Sequence, residues 1–140
     1  MNKRYLFALS VLVAANLAFA ADAPQGRLQP VTTGGVSYLS GGIGEDEATT
    51  IQQTAKNYSL ELEFVIKATP KDEFTSDVKV KVSDASHNTI LDAVSKGPFF
   101  LAQLPAGRYH LEASKNGQSQ ARDVTIKPGS HQRIMFEWRE

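Results

Sequence analysis

LPAGRYHLEASKNGQSQARDVTI, residues 104–126, decides how the rest of the chain is read. Asn116-Gly117 is a tight-hairpin signal, because both turn positions need a positive φ that Asn and Gly tolerate. Before it, Tyr109, Leu111 and Ala113 alternate with His110, Glu112 and Ser114. After it, Val124 and Ile126 hold the same side. A period of two is that of a strand with one buried face. Pro105-Ala106-Gly107 turns the chain on one side of the hairpin and Pro128-Gly129 on the other.

The same period extends outward in both directions. Upstream, Leu60, Leu62, Phe64 and Ile66 alternate with Ser59, Glu61 and Glu63. Val78, Val80 and Val82 alternate with Lys79 and Lys81. TPKDEFTS between them reads as a loop. Thr89 to Val94 and Phe99 to Leu104 make two short strands separated by Gly97-Pro98, and Ile134, Phe136 and Trp138 close the series. Seven strands with turn chemistry every 8–12 residues predict a mainly β fold, a seven-stranded β-sandwich over residues 59–140. Antiparallel pairing of the first two strands would set Glu61 and Glu63 against Lys79 and Lys81 on the solvent face.

Residues 41–58 change period. Ala48, Ile51, Ala55 and Tyr58 form a narrow helical stripe, and Glu45, Asp46 and Glu47 occupy a first turn, where carboxylates favour the helix dipole. One short surface helix is expected from about Glu45 to Lys56. Residues 21–40, rich in Pro, Gly and Thr, read as a flexible leader in which Gly35 to Leu39 can form a short strand. Residues 1–20 read as a cleavable signal peptide. Lys3 and Arg4 precede an apolar run from Leu6 to Ala15, and Ala18-Phe19-Ala20 offers small residues at the cleavage site. Removal of twenty residues from 140 leaves 120, with thirteen basic against fifteen acidic side chains and a net charge of −2. Cysteine is absent, which excludes disulfides, thiol nucleophiles and a lipid-attachment thiol. The expected product is periplasmic (alternatively secreted), monomeric and without a membrane anchor.

The run Leu104-Pro105-Ala106-Gly107-Arg108-Tyr109, with its following hairpin, resembles the C-terminal half of carboxypeptidase regulatory-like, transthyretin-like domains. The likeness spans roughly residues 60–138. The upstream SGGIGEDE stretch is similar to small exported bacterial proteins of that kind. The resemblance implies a Greek-key arrangement of the sandwich and an accessory, non-catalytic role.

No motif supplies a catalytic set. His87, His110 and His131 lack ligand spacing, although His110 and Glu112 share a strand face, so neither a metal nor another cofactor is expected. Ser76 and Lys79 spell S-x-x-K, but on a strand they point to opposite faces. Gly41-Gly42-Ile43-Gly44 precedes a helix, yet Glu45, Asp46 and Glu47 repel a phosphate, and their consecutive spacing is wrong for a Ca²⁺ loop. Basic residues are scattered, so nucleic acid is not an expected partner. Adjacent Phe99 and Phe100 must face opposite ways; one is either covered by the helix or an exposed aromatic platform.

These features lead to a non-catalytic binding module of the cell envelope, engaging protein or polysaccharide. The candidate contact residues are Gly41, Gly42, Gly44, Glu45, Asp46 and Glu47, a glycine-hinged acidic segment whose plainer reading is the approach to a helix. A small hydrolytic or metal-dependent enzyme and a self-associating structural subunit are the alternatives.

Overall fold

Asn116 and Gly117 both take positive φ, +49° and +79°, and the two strands they join pair directly from Lys115 against Gln118. In this computed structural model, which describes residues 28–139, that hairpin belongs to the smaller of two sheets. The expected signal peptide, residues 1–20, and residues 21–27 lie outside the described residues. The elements, in chain order, are β1 (Val31–Thr33), β2 (Val36–Gly41), α1 (Glu45–Ala55), β3 (Leu60–Lys67), β4 (Glu73–Phe74), β5 (Val78–Asp84), β6 (Thr89–Ser95), β7 (Phe99–Gln103), β8 (Gly107–Lys115), β9 (Gln118–Ile126) and β10 (Gln132–Arg139).

One sheet runs β1-β2-β7-β3-β10, with β4 added beside β3; the other runs β6-β5-β8-β9. All pairings are antiparallel except β3 with β10. The alternation seen in the sequence buries one row from each strand between the sheets. Leu60, Leu62, Phe64, Phe100 and Phe136 meet Val78, Val80, Val82, Leu91 and Leu111 in one cluster. Phe64, Phe136 and Trp138 pack with ring centroids about 6 Å apart. Tyr109 closes an end of the core by donating its hydroxyl to the Pro105 carbonyl at 2.6 Å. Burial, and then the charge of Asp84, push that phenol above its usual range, so the bond is kept by a neutral donor.

The structure corrects the sequence reading in three places. Residues 31–41, assigned mostly to a flexible leader, form β1 and β2, and β2 pairs with β7 inside the large sheet. The TPKDEFTS stretch contains β4, held against Val65 and Ile66. Ten strands are therefore present among the described residues, three of them upstream or inside an expected loop. The expected pairing of Glu61 and Glu63 with Lys79 and Lys81 does not occur, because β3 and β5 belong to opposite sheets. Both glutamates are buried on the outer face of the large sheet, where Arg133 and His131 reach them from β10 and the turn before it. Lys79 and Lys81 instead lie opposite Ser114 and Glu112 of β8.

Helix α1 lies on that same outer face. Its stripe packs Ile51 and Ala55 against Leu39, Phe99 and Leu101, with Tyr58 alongside. Phe99 is thus the aromatic that the helix covers, while Phe100 points into the main core and stacks on Tyr38 at 5.1 Å.

The two open flanks between the sheets differ. At the β9–β10 flank, Gln120 donates to the Glu137 carbonyl, the Trp138 indole donates to the Gln118 carbonyl, and the Arg122 guanidinium lies 5.4 Å over the Phe136 ring. The opposite flank, between β1–β2 and β6, is bridged by a bond from the Lys96 amide to Ser40 Oγ. Truncating Phe64 to Ala is expected to remove about 3–5 kcal/mol of stability in urea denaturation. Met135→Ala, at a half-exposed outer position, should cost under about 1 kcal/mol. Equal losses would contradict the core assignment.

Candidate functional site

The glycine-rich segment owes its composition to close packing. A Cβ on Gly42 would enter the Phe99 ring, and one on Gly41 would strike Glu47 and Leu28. From the neighbouring loop, Gly97 comes so close that a Cβ there would meet the Gly41 backbone. Helix α1 therefore starts on a chain pressed flat against the sheet. No side chain caps it at Gly44. Glu47 performs a related task from the first turn: its carboxylate accepts the Gly42 N–H at 2.9 Å and folds the segment back.

This geometry divides the expected contact residues. Gly41 and Gly42 are buried packing positions, and Gly44 is the N-cap. Glu45 and Asp46 are exposed. Glu47 and the neighbouring Ile43 line a groove of about 420 Å³ at the open flank, together with Leu28, Val31, Tyr38 and Val94. Three of the five exposed large apolar side chains among the described residues gather there: Ile43 at 62 %, Val94 at 49 % and Val31 at 42 % exposure. Lys96 adds one positive charge to the rim. The sequence pointed to the segment but not to the groove, because Val31 and Val94 join it only through the pairing of β1 and the placement of β6.

A second opening, a cleft of about 680 Å³, lies over β8, β9 and the turn after β5. His110 Nδ1 meets Asp123 Oδ1 there at 2.7 Å. The sequence reading had coupled His110 with Glu112. Those two do share the outward face of β8, and the hairpin register sets His110 opposite Asp123 and Glu112 opposite Ala121. Ser83 stands across from His110 on β5, which puts a Ser, a His and an Asp in one cross-strand row. The hydrogen bond to Asp123 orients the His110 imidazole, and among the described residues His110 makes none to Ser83. The Asp123 side chain is 88 % exposed, where an ion pair contributes little. No three His, Asp or Glu side chains converge to hold a metal among the described residues.

The turn that walls this cleft is set by Asp84. Its carboxylate accepts the Asn88 and Ser86 amides, both at 2.9 Å. The Asn88 amide bond is the main reason its pKa lies below the usual carboxylate value of 3.8, and the nearby His87 adds to the effect. A carboxylate favoured in this way stabilises the fold above its unfolded pKa, and that contribution is lost as pH falls below about 3.8.

Glu47→Ala should lower stability by about 1–2 kcal/mol in thermal or urea denaturation, since Gly42 loses a charged acceptor. Glu45→Ala and Asp46→Ala should each stay within about 0.5 kcal/mol. Below about pH 4, Asp84→Asn should lose less stability than the parent protein, read as melting temperature against pH. No helix among the described residues is long and apolar enough to cross a membrane. No protein-family model matches the chain, and no curated protein sequence matches it at a significant level.

Proposed function

We propose that the protein is an exported, non-catalytic interaction module of the bacterial cell envelope, working in the periplasm as a monomer and engaging a protein partner at the groove beside α1. The observation that carries this reading is the contrast between the two flanks. One is closed by Gln120, Arg122 and Trp138; the other gathers Val31, Ile43 and Val94 at partial exposure around one concavity. Clustered apolar exposure marks an interaction site, whereas single exposed residues are ordinary. β1 and β6, the end strands of their sheets, both contribute to it. An end strand with free backbone groups is suited to an extended segment of another protein.

A polysaccharide is the weaker partner. Sugar platforms use exposed aromatic faces, and Tyr38, the aromatic that lines the groove, is stacked on Phe100. The same proposal includes a Greek-key, transthyretin-like arrangement and kinship with carboxypeptidase regulatory-like domains, supported by the Leu104–Tyr109 run and by the two-sheet architecture it accompanies.

Pull-down from envelope extract with mature protein should recover a defined partner. Ile43→Asp combined with Val94→Asp should reduce its recovery at least about tenfold, the scale of one lost apolar anchor. Glu45→Lys with Asp46→Lys should leave recovery nearly unchanged, because those exposed residues do not line the groove. Equal capture by the Ile43/Val94 variant would sink the groove assignment. Light scattering that shows a stable dimer would favour self-association instead.

A further inference from the structure

His131 stands between two acceptors. Its Nδ1 lies 2.7 Å from the Tyr58 carbonyl oxygen and its Nε2 lies 2.9 Å from Glu61 Oε2. A carbonyl oxygen only accepts, and so does a carboxylate, so each contact needs a hydrogen on the ring nitrogen that faces it. A neutral ring carries one such hydrogen and leaves its other nitrogen with a lone pair aimed at an oxygen acceptor. Both contacts bond together only when the pair holds one further proton, on the ring or on the glutamate. The Glu61 side chain is only 10 % exposed, so water relieves the conflict on the ring side alone, where a third of the His131 side chain is exposed.

The position of the pair gives that proton mechanical consequences. His131 immediately precedes the first rung of the parallel β3–β10 ladder, where the Gln132 amide donates to the Ser59 carbonyl at 2.9 Å. Tyr58 closes the segment that follows α1. The bridge therefore ties the turn before β10 to the end of the helix segment, and both stretches line a polar cleft of about 320 Å³. The other charged groups near it are few. Arg133 Nε is 4.0 Å from Glu61 and its guanidinium is engaged by Glu63. Lys56 and Lys127 line the neighbouring cleft. Arg133, held even more firmly protonated chiefly by its hydrogen bond to Glu63, keeps its charge throughout the range in which a histidine titrates.

We infer that the Glu61–His131 pair is a proton-operated latch: protonated, it clamps the start of β10 to β3 and to the end of the helix segment; deprotonated, it releases that rung and loosens the cleft beside it. The sign follows from the proton count. The bonded proton is held toward acid and given up toward alkali. The latch therefore closes toward acid and opens toward alkali.

The test is the melting temperature of the mature protein from pH 5.5 to 8.5, with His110→Gln in every version to remove the exposed His110–Asp123 pair. The parent should lose about 5 °C more over this range than His131→Gln, the order expected for one charge-assisted hydrogen bond in a domain of this size. Glu61→Gln should flatten the profile while melting above His131→Gln at pH 8.5. Its amide donates to a neutral ring, and its carbonyl accepts from a protonated one. If His131→Gln keeps the parent's slope, the latch is wrong. Should that variant fail to fold, amide exchange in the parent decides. Protection of the Gln132 amide, relative to amides of β5, should fall about tenfold across the range, and a constant ratio would overturn the inference.

Discussion

The register between β3 and β10 organises both sides of the larger sheet. Pairing Phe136 with Phe64 and Trp138 with Ile66 turns the three aromatic rings inward, where they form the centre of the core. The same register turns Arg133 toward Glu61 and Glu63 on the outer side. A slip of one residue would send Phe136 and Trp138 into solvent and drive Arg133 into the core. Both penalties act together, so this parallel pair is fixed more firmly than its backbone bonds alone would achieve. A chain without disulfides depends on such coupled constraints.

The two buried glutamates are part of this scheme. Replacing both by apolar residues would remove a desolvation cost, and buried ion pairs are seldom net sources of stability. Their effect is on specificity. Only a strand that brings hydrogen-bonding partners at the right spacing can lie beside β3 on that edge, and the turn before β10 together with β10 supplies His131 and Arg133 in that order.

Much of the β architecture was legible because long strands announce themselves. β3, β5, β8 and β9 each contain several alternating positions, and Asn116-Gly117 fixed one hairpin to the residue. That hairpin also held an unused signal: counting back from Lys115 and forward from Gln118 sets His110 opposite Asp123. β1 and β4, with three and two residues, are too short to show any period. β2 was half seen, as a short strand within a presumed leader. The pairing of Glu61 and Glu63 was misread for a deeper reason. Alternation tells which side chains share a face, while the partner strand depends on which sheet the chain enters after a turn. The acidic segment was legible as a helix start. Its role as one wall of a groove depends on β1 and β6, which are remote in sequence, and on glycines whose neighbours only the fold reveals.

Arg122 has a consequence for the crowded conditions in which a newly folded chain finds itself. β9 is a nine-residue end strand, long enough to template the growth of a foreign sheet. Its middle residue on the core side is a guanidinium laid over Phe136, within a polar seam that includes Gln120. An incoming strand would have to bury that charge without a counter-ion. The seam thus makes polymerisation along this edge unfavourable and confines open sheet edges to the opposite side of the molecule.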